Sequence, residues 1–150
     1  MFGLPGEIVI FTCWVGLFSV FTGLGLLIQR TWGLKLLGIE TLLLSFWIGW
    51  ATSLGLLQLW HFWWKIDGWV FALVSLIGGI GLVWNVPALW VIIRKIALKR
   101  WGLLLVVTLL GLWLANRVLT PIQEYDTGLY HLASIKWASL YPVVPGLGNV

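Results

Sequence analysis

The sequence predicts an all-α fold: a polytopic transmembrane bundle of four spans followed by an external, interfacial amphipathic helix. Three observations carry that expectation. Hydrophobic residues make up 61% of the 150-residue chain and charged residues only 9%, against about a quarter charged in a soluble domain. The uncharged residues fall in runs long enough to cross a bilayer. Tryptophan occurs 13 times, and Trp collects where lipid meets water. The net charge of +4 does not point to nucleic acid, because the basic residues are scattered or sit beside apolar runs. Attraction to anionic headgroups accounts for them.

Each span follows from a run without Asp, Glu, Lys or Arg. Ile8 to Gln29 gives 22 such residues, Thr41 to Trp64 gives 24, Gly68 to Ile93 gives 26, and Trp101 to Asn116 gives 16. A helix needs roughly 20 apolar residues to cross the hydrocarbon. The fourth run reaches that length if Arg100 and Arg117 snorkel to the headgroups. The expected spans are 6–28, 37–60, 68–93 and 101–119. In lipid every backbone polar group must pair internally, so these runs are helices, and no pattern of short alternating strands suggests a barrel. The first run lacks basic residues ahead of it and an Ala-x-Ala-like site behind it. It reads as a retained span rather than a cleaved signal peptide. A single cysteine, Cys13, rules out a disulfide within the chain.

Orientation follows from Lys and Arg. Arg30 and Lys35 lie between spans one and two, and Arg94, Lys95, Lys99 and Arg100 between spans three and four. By the positive-inside rule loops 29–36 and 94–100 face the cytoplasm, and the N-terminus and residues 120–150 face outward. Within the spans, Glu40 is an intramembrane acid expected to pair with Lys35 near the interface or to be protonated. Pro87, beside Asn85, is expected to kink the third span by crowding the Val83 carbonyl. Gly23, Gly25 and the Gly78-Gly79-Ile80-Gly81 cluster offer flat faces for close helix approach. Trp60-His61-Phe62-Trp63-Trp64 reads as an outer aromatic belt.

After Thr120-Pro121 the chain becomes polar: Glu124, Tyr125, Asp126, Tyr130, His131, Lys136 and Tyr141. A helix is expected from an Asp126 or Thr127 cap to about Leu140, stopped by Pro142. Its Leu129, Leu132, Ile135 or Lys136, and Leu140 recur at spacings of three and four, as on a helix lying in the interface. Glu124 and Asp126 suit two chemistries. They can share a divalent cation such as Mg or Mn, or one can act as a base toward a hydroxyl. The alternative is that Asp126 caps the helix and Glu124 is solvated. HExxH, GxSxG, Cys/His metal spacing and P-loop patterns are all missing from the sequence.

Three stretches carry a resemblance: Glu124-Tyr125-Asp126-Thr127-Gly128-Leu129-Tyr130-His131-Leu132, then Ile135-Lys136-Trp137, then Tyr141-Pro142-Val143-Val144-Pro145-Gly146-Leu147-Gly148-Asn149. Together they resemble a signature block of large, polytopic, largely uncharacterised bacterial membrane proteins, often cyanobacterial. These in turn resemble the GT-C glycosyltransferases, which use sugars linked to a polyprenyl phosphate. The resemblance implies Asp126 as catalytic base or metal ligand with Glu124 its partner. It also implies a site lined by Tyr130 and His131, with Lys136 and Arg117 offsetting phosphate charge, at the outer face of a bacterial plasma membrane. It further implies that these residues form the N-terminal part of a longer protein and are inactive alone. A non-catalytic membrane subunit of a larger complex, or a transporter fragment built on Glu40 and Pro87, are the competing expectations.

Overall fold

The computed structural model describes residues 5–34, 38–119 and 130–143. Among these residues the chain is helical, with no strands. Five helices follow one another: α1 (Gly6–Thr31), α2 (Ile39–His61), α3 (Gly68–Trp84), α4 (Val86–Val118) and α5 (Leu132–Leu140). Three stretches are long and apolar enough to cross a membrane, Gly6–Thr31, Ile39–His61 and Lys99–Val118; α3 joined to Val86–Ile96 makes a fourth that is bent by 76°. The protein is an α-helical membrane protein.

Local chemistry sets the helix ends. At the end of α1, Gly33 takes a φ of +70°, which glycine adopts without strain. There the Gly33 and Leu34 amides donate to the Arg30 and Gln29 carbonyls at 3.0 and 2.9 Å, the paired bonds of a Schellman cap. Asp67 opens α3 by accepting the Trp69 amide at 3.0 Å, a side-chain N-cap. Pro142 follows the last turn of α5, and Tyr141 is already extended, as expected from the proline.

The third run departs from expectation. It bends far more sharply than a proline kink, by 76°. The helix breaks at Asn85 and restarts at Val86, with Pro87 in the new first turn. Proline fits there because the first-turn amides have no helical partner to lose. The Val83 carbonyl is therefore not the seat of a kink. A second irregularity lies at Arg100, whose φ of −137° and ψ of 32° interrupt α4. The segment Val86–Ile96 thus runs across the end of the bundle, and Lys99–Val118 leaves it again.

Helix α1 is the hub, packing on α2, α3 and α4. Its contacts run antiparallel to α2, from Gln29 on Ser45 to Phe21 on Gly49. They run parallel to α3, from Gly23 on Gly78 to Arg30 on Asn85. Against α4 they are antiparallel again, Phe11 on Gly111 and Gly6 on Leu119. The glycines explain the closeness. A Cβ on Gly23 would overlap the Gly78 carbonyl, and one on Gly25 would overlap the carbonyl of Ser45. One on Gly49 would overlap that of Phe21, and one on Gly81 that of Gly23. Backbones touch here because lipid gives no hydrophobic drive between helices and close van der Waals packing must supply it. Large apolar side chains face outward all round, as the exposed Trp47, Phe71, Val83, Val106 and Trp113 show.

These directions give the bundle two ends. One gathers the start of α1, the His61–Gly68 turn and the end of α4. The other gathers Arg30, Gly38–Glu40, Asn85 and the basic residues 94–100. Helix α3 runs from the first end to the second, so its break shortens the third crossing without reversing it.

Candidate functional site

Two polar regions stand out, one at each end. At the first, α5 returns and is tied by backbone to the α2–α3 turn. The Ile66 amide donates to the Ala138 carbonyl at 2.8 Å, and the Val143 amide donates to the His61 carbonyl at 2.9 Å. The turn itself is braced by Trp60 Nε1 donating to the Lys65 carbonyl at 3.1 Å and by Lys65 Nζ 3.8 Å from Asp67 Oδ2. His61 Nδ1 lies 3.4 Å from the Trp64 carbonyl, a contact within its own turn. Phe62, Trp63, Trp64 and Trp69 crowd this end as exposed aromatic side chains.

Of the residues expected to do chemistry, Tyr130, His131 and Lys136 are exposed on or just before α5, and Arg117 is exposed in the last turn of α4. A two-residue π turn, Tyr130-His131, leads into α5. Glu124 and Asp126, with the expected cap at Asp126 or Thr127, lie outside the described residues. The described residues on either side of that stretch, Leu119 and Tyr130, belong to elements of this same end. Among the described residues no three of His, Cys, Asp and Glu gather as a metal site.

The opposite end holds what sequence reasoning missed. Arg30 Nη1 donates to the Trp84 carbonyl at 3.2 Å and to Asn85 Oδ1 at 3.3 Å, and its guanidinium stands 5.0 Å from the centre of the Trp84 ring. Asn85 Nδ2 donates to the Gly81 carbonyl at 2.8 Å, and Asn85 is 1% exposed. A cation at the carbonyl end of α3 also meets the negative pole of the helix dipole. Behind it, buried Gln29 donates to Ser45 Oγ at 3.1 Å, and Ser45 Oγ donates to the Thr41 carbonyl at 2.6 Å. Arg30 is therefore a clamp on the break rather than only a topology signal. The order Asn85-Val86-Pro87, an N-cap type followed by an early proline, is the signal that would have found the break.

Glu40 lies beside this clamp. Its expected partner Lys35 is outside the described residues. Instead Glu40 shares an open cavity of about 480 Å³ with Lys95, Lys99 and Arg100. The apolar side of that cavity includes Val91 and Ile92. Positions 88, 92, 95 and 99 recur at steps of three and four, the stripe that marks one face of a helix.

A family model described as "Domain of unknown function (DUF8201)" matches residues 8–150. The chain belongs to the DUF8201 family. No curated protein and no solved structure matches it. The DUF8201 match takes in α1 from Ile8 onward and every later helix, so both polar ends lie within the domain.

Proposed function

We propose that this DUF8201 chain is the membrane-embedded, N-terminal part of a bacterial transferase resembling the GT-C glycosyltransferases, acting on polyprenyl-phosphate-linked sugars at the outer leaflet. The observation that carries the reading is the anchoring of α5 to the α2–α3 turn, which draws the flanks of the Glu124–Asp126 stretch to one end of the bundle. That end bears few cations, whereas Arg30, Arg94, Lys95, Lys99 and Arg100 collect at the other. The positive-inside rule then sets the α5 end outward. In this reading Asp126 takes the acceptor proton or, with Glu124, holds a divalent cation. Tyr130 and His131 line the site, and Lys136 and Arg117 offset phosphate charge.

The test is transfer of a labelled sugar from a polyprenyl-phosphate donor by the whole protein carrying Asp126→Asn or Asp126→Ala. Both variants should be inactive. If Asp126 only caps a helix, Asn should keep activity and stability, and Ala should cost about 1 kcal/mol. Retained transfer in Asp126→Asn sinks the chemical role. Orientation has its own check: Cys at position 134, with Cys13 removed, should react with an impermeant thiol reagent in intact cells.

A second reading, a non-catalytic module seated in a larger membrane complex, is favoured by one feature. Only 6% of the Lys99–Val118 span is buried within the chain, which leaves most of that helix open to other helices.

A further inference from the structure

The break at Asn85 and the irregularity at Arg100 fold Val86–Ile96 across the bundle and leave the cavity of about 480 Å³ in front of the start of α2. Three cations, Lys95, Lys99 and Arg100, line it against one carboxylate, Glu40. Among the described residues none of these four is joined in an ion pair; the ion pair seen among those residues is Lys65 with Asp67, at the other end. The cations therefore stand available to an outside anion.

The rest of the lining is apolar, including half-exposed Val91 and buried Ile92. A soluble anion has no use for that wall, and a bare acyl chain has none for the cations. An amphiphile uses both. The neighbouring aromatic residues suit a lipid ligand as well. Trp90, within the lining stretch, and Trp101, next to Arg100, are 65% and 70% exposed and stand close to the cations in sequence, as Trp does where lipid meets water. The 76° bend away from α3 turns Val86–Ile96 out of the spanning direction, as suits a segment at that level.

We propose that this cavity binds an anionic phospholipid of the leaflet at the basic end, with its phosphodiester on Lys95, Lys99 and Arg100 and an acyl chain along Val91 and Ile92. Glu40 sets the headgroup. Its charge opposes a second negative charge, which disfavours a phosphomonoester, and its oxygens accept hydrogen bonds from headgroup hydroxyls. Phosphatidylglycerol has both properties. The proposal is independent of Asp126, because it concerns the opposite end of the bundle.

The test is lipid retention by the purified full chain, measured by native mass spectrometry after exchange from vesicles of phosphatidylglycerol or phosphatidylcholine. Phosphatidylglycerol should be retained in preference. Lys95→Gln and Lys99→Gln should each lower its retention about fivefold, the loss of one near-surface lysine contact, and Lys95→Arg should keep it. Ala88→Trp narrows the cavity beside Val91 and Ile92 without changing charge and should weaken the preference while leaving the fold intact by circular dichroism. Equal retention of the two lipids overturns the proposal. So does displacement of phosphatidylglycerol by millimolar inorganic phosphate, which would make the ligand a soluble anion. A wild-type preference in Ala88→Trp would also overturn it, because attraction would then be diffuse over the basic surface.

Discussion

The two sides of α1 are packed by different means. Toward α2 and α3, α1 brings backbone against backbone: Gly23 lies on Gly78 and Gly81, and Gly25 on Ser45, next to Gly49. Toward α4 the contact is made by side chains, the Phe11 ring over Gly111 and Leu119 over Gly6, and Gly102 has nothing within 4 Å of its Cβ direction. The window of α1 that spans is 22% buried, that of α4 only 6%. All four helices are apolar, so apolarity is not what decides which pairs close up. In lipid, contact follows small residues that let backbones meet and polar pairs that bridge them. The α1–α2–α3 unit has both, in its glycines and in Gln29, Ser45, Arg30 and Asn85, whereas α4 has few of either.

The largest effect should come from filling one side and sparing the other. Gly25→Leu places atoms where the Ser45 carbonyl stands and forces α1 and α2 apart. It should cost about 3 kcal/mol or more, the upper end for overpacking a core. Gly102→Leu enters open space and should be neutral or gain up to about 1 kcal/mol from helix propensity. Thermal unfolding of the purified protein in detergent separates the two. A Gly102→Leu protein as damaged as Gly25→Leu would mean that another surface covers α4, and the contrast would fail.

The legible part of this architecture was the part written in composition and charge. Four apolar runs, the stop before Pro142 and the glycine faces at Gly23, Gly25 and Gly78–Gly81 are local signals, and the helices and their close contacts follow them. Gly49 was harder to read, because one glycine in an apolar run does not say which neighbour it meets. The break at Asn85 was hidden by the same uncharged run that announced a span. Hydropathy measures length of apolar chain, not the direction of the helix axis. The cavity was hidden for a related reason: Glu40 and Lys95 are 55 positions apart, and only the turned Val86–Ile96 segment brings them to one hollow. Glu124 and Asp126 remain a sequence reading, carried by their spacing and by the resemblance.

A smaller effect is expected at the clamp. Arg30→Met keeps the apolar stem but removes the donors to Trp84 and Asn85 and the cation over the indole. Charged hydrogen bonds contribute about 1.5–3 kcal/mol, and a partly exposed cation–π contact about 0.5–1 kcal/mol. Solvent at the bundle end and the surviving Asn85–Gly81 bond reduce the sum, so a loss of about 1–2 kcal/mol is expected. The matching change on α4, Arg94→Met, should cost less, since Arg94 is exposed and joins no hydrogen bond or ion pair among the described residues. Equal losses would show that the α1–α3 joint does not depend on its polar bridge, leaving the glycines as its sole basis.

The smallest effect has the opposite sign. Thr22 sits beside Gly23 in the close-packed part of α1, is 4% exposed, and its buried Oγ1 has no hydrogen-bond partner among the described residues. A buried hydroxyl without a partner costs roughly 1–3 kcal/mol in water-soluble proteins. In lipid the unfolded helix also lacks water, so most of that penalty is common to both states and the net effect shrinks below about 1 kcal/mol. Thr22→Val keeps the branched shape that the glycine joint packs around and removes only the polar atom. It should leave the protein unchanged or slightly more stable on thermal unfolding. Ser45→Ala, by contrast, strands the buried Gln29 amide and should be destabilising. If Thr22→Val lowers stability as Ser45→Ala does, the Thr22 hydroxyl has a partner in the working protein, and the tight side of α1 is bridged at one more point than its contacts in this chain supply.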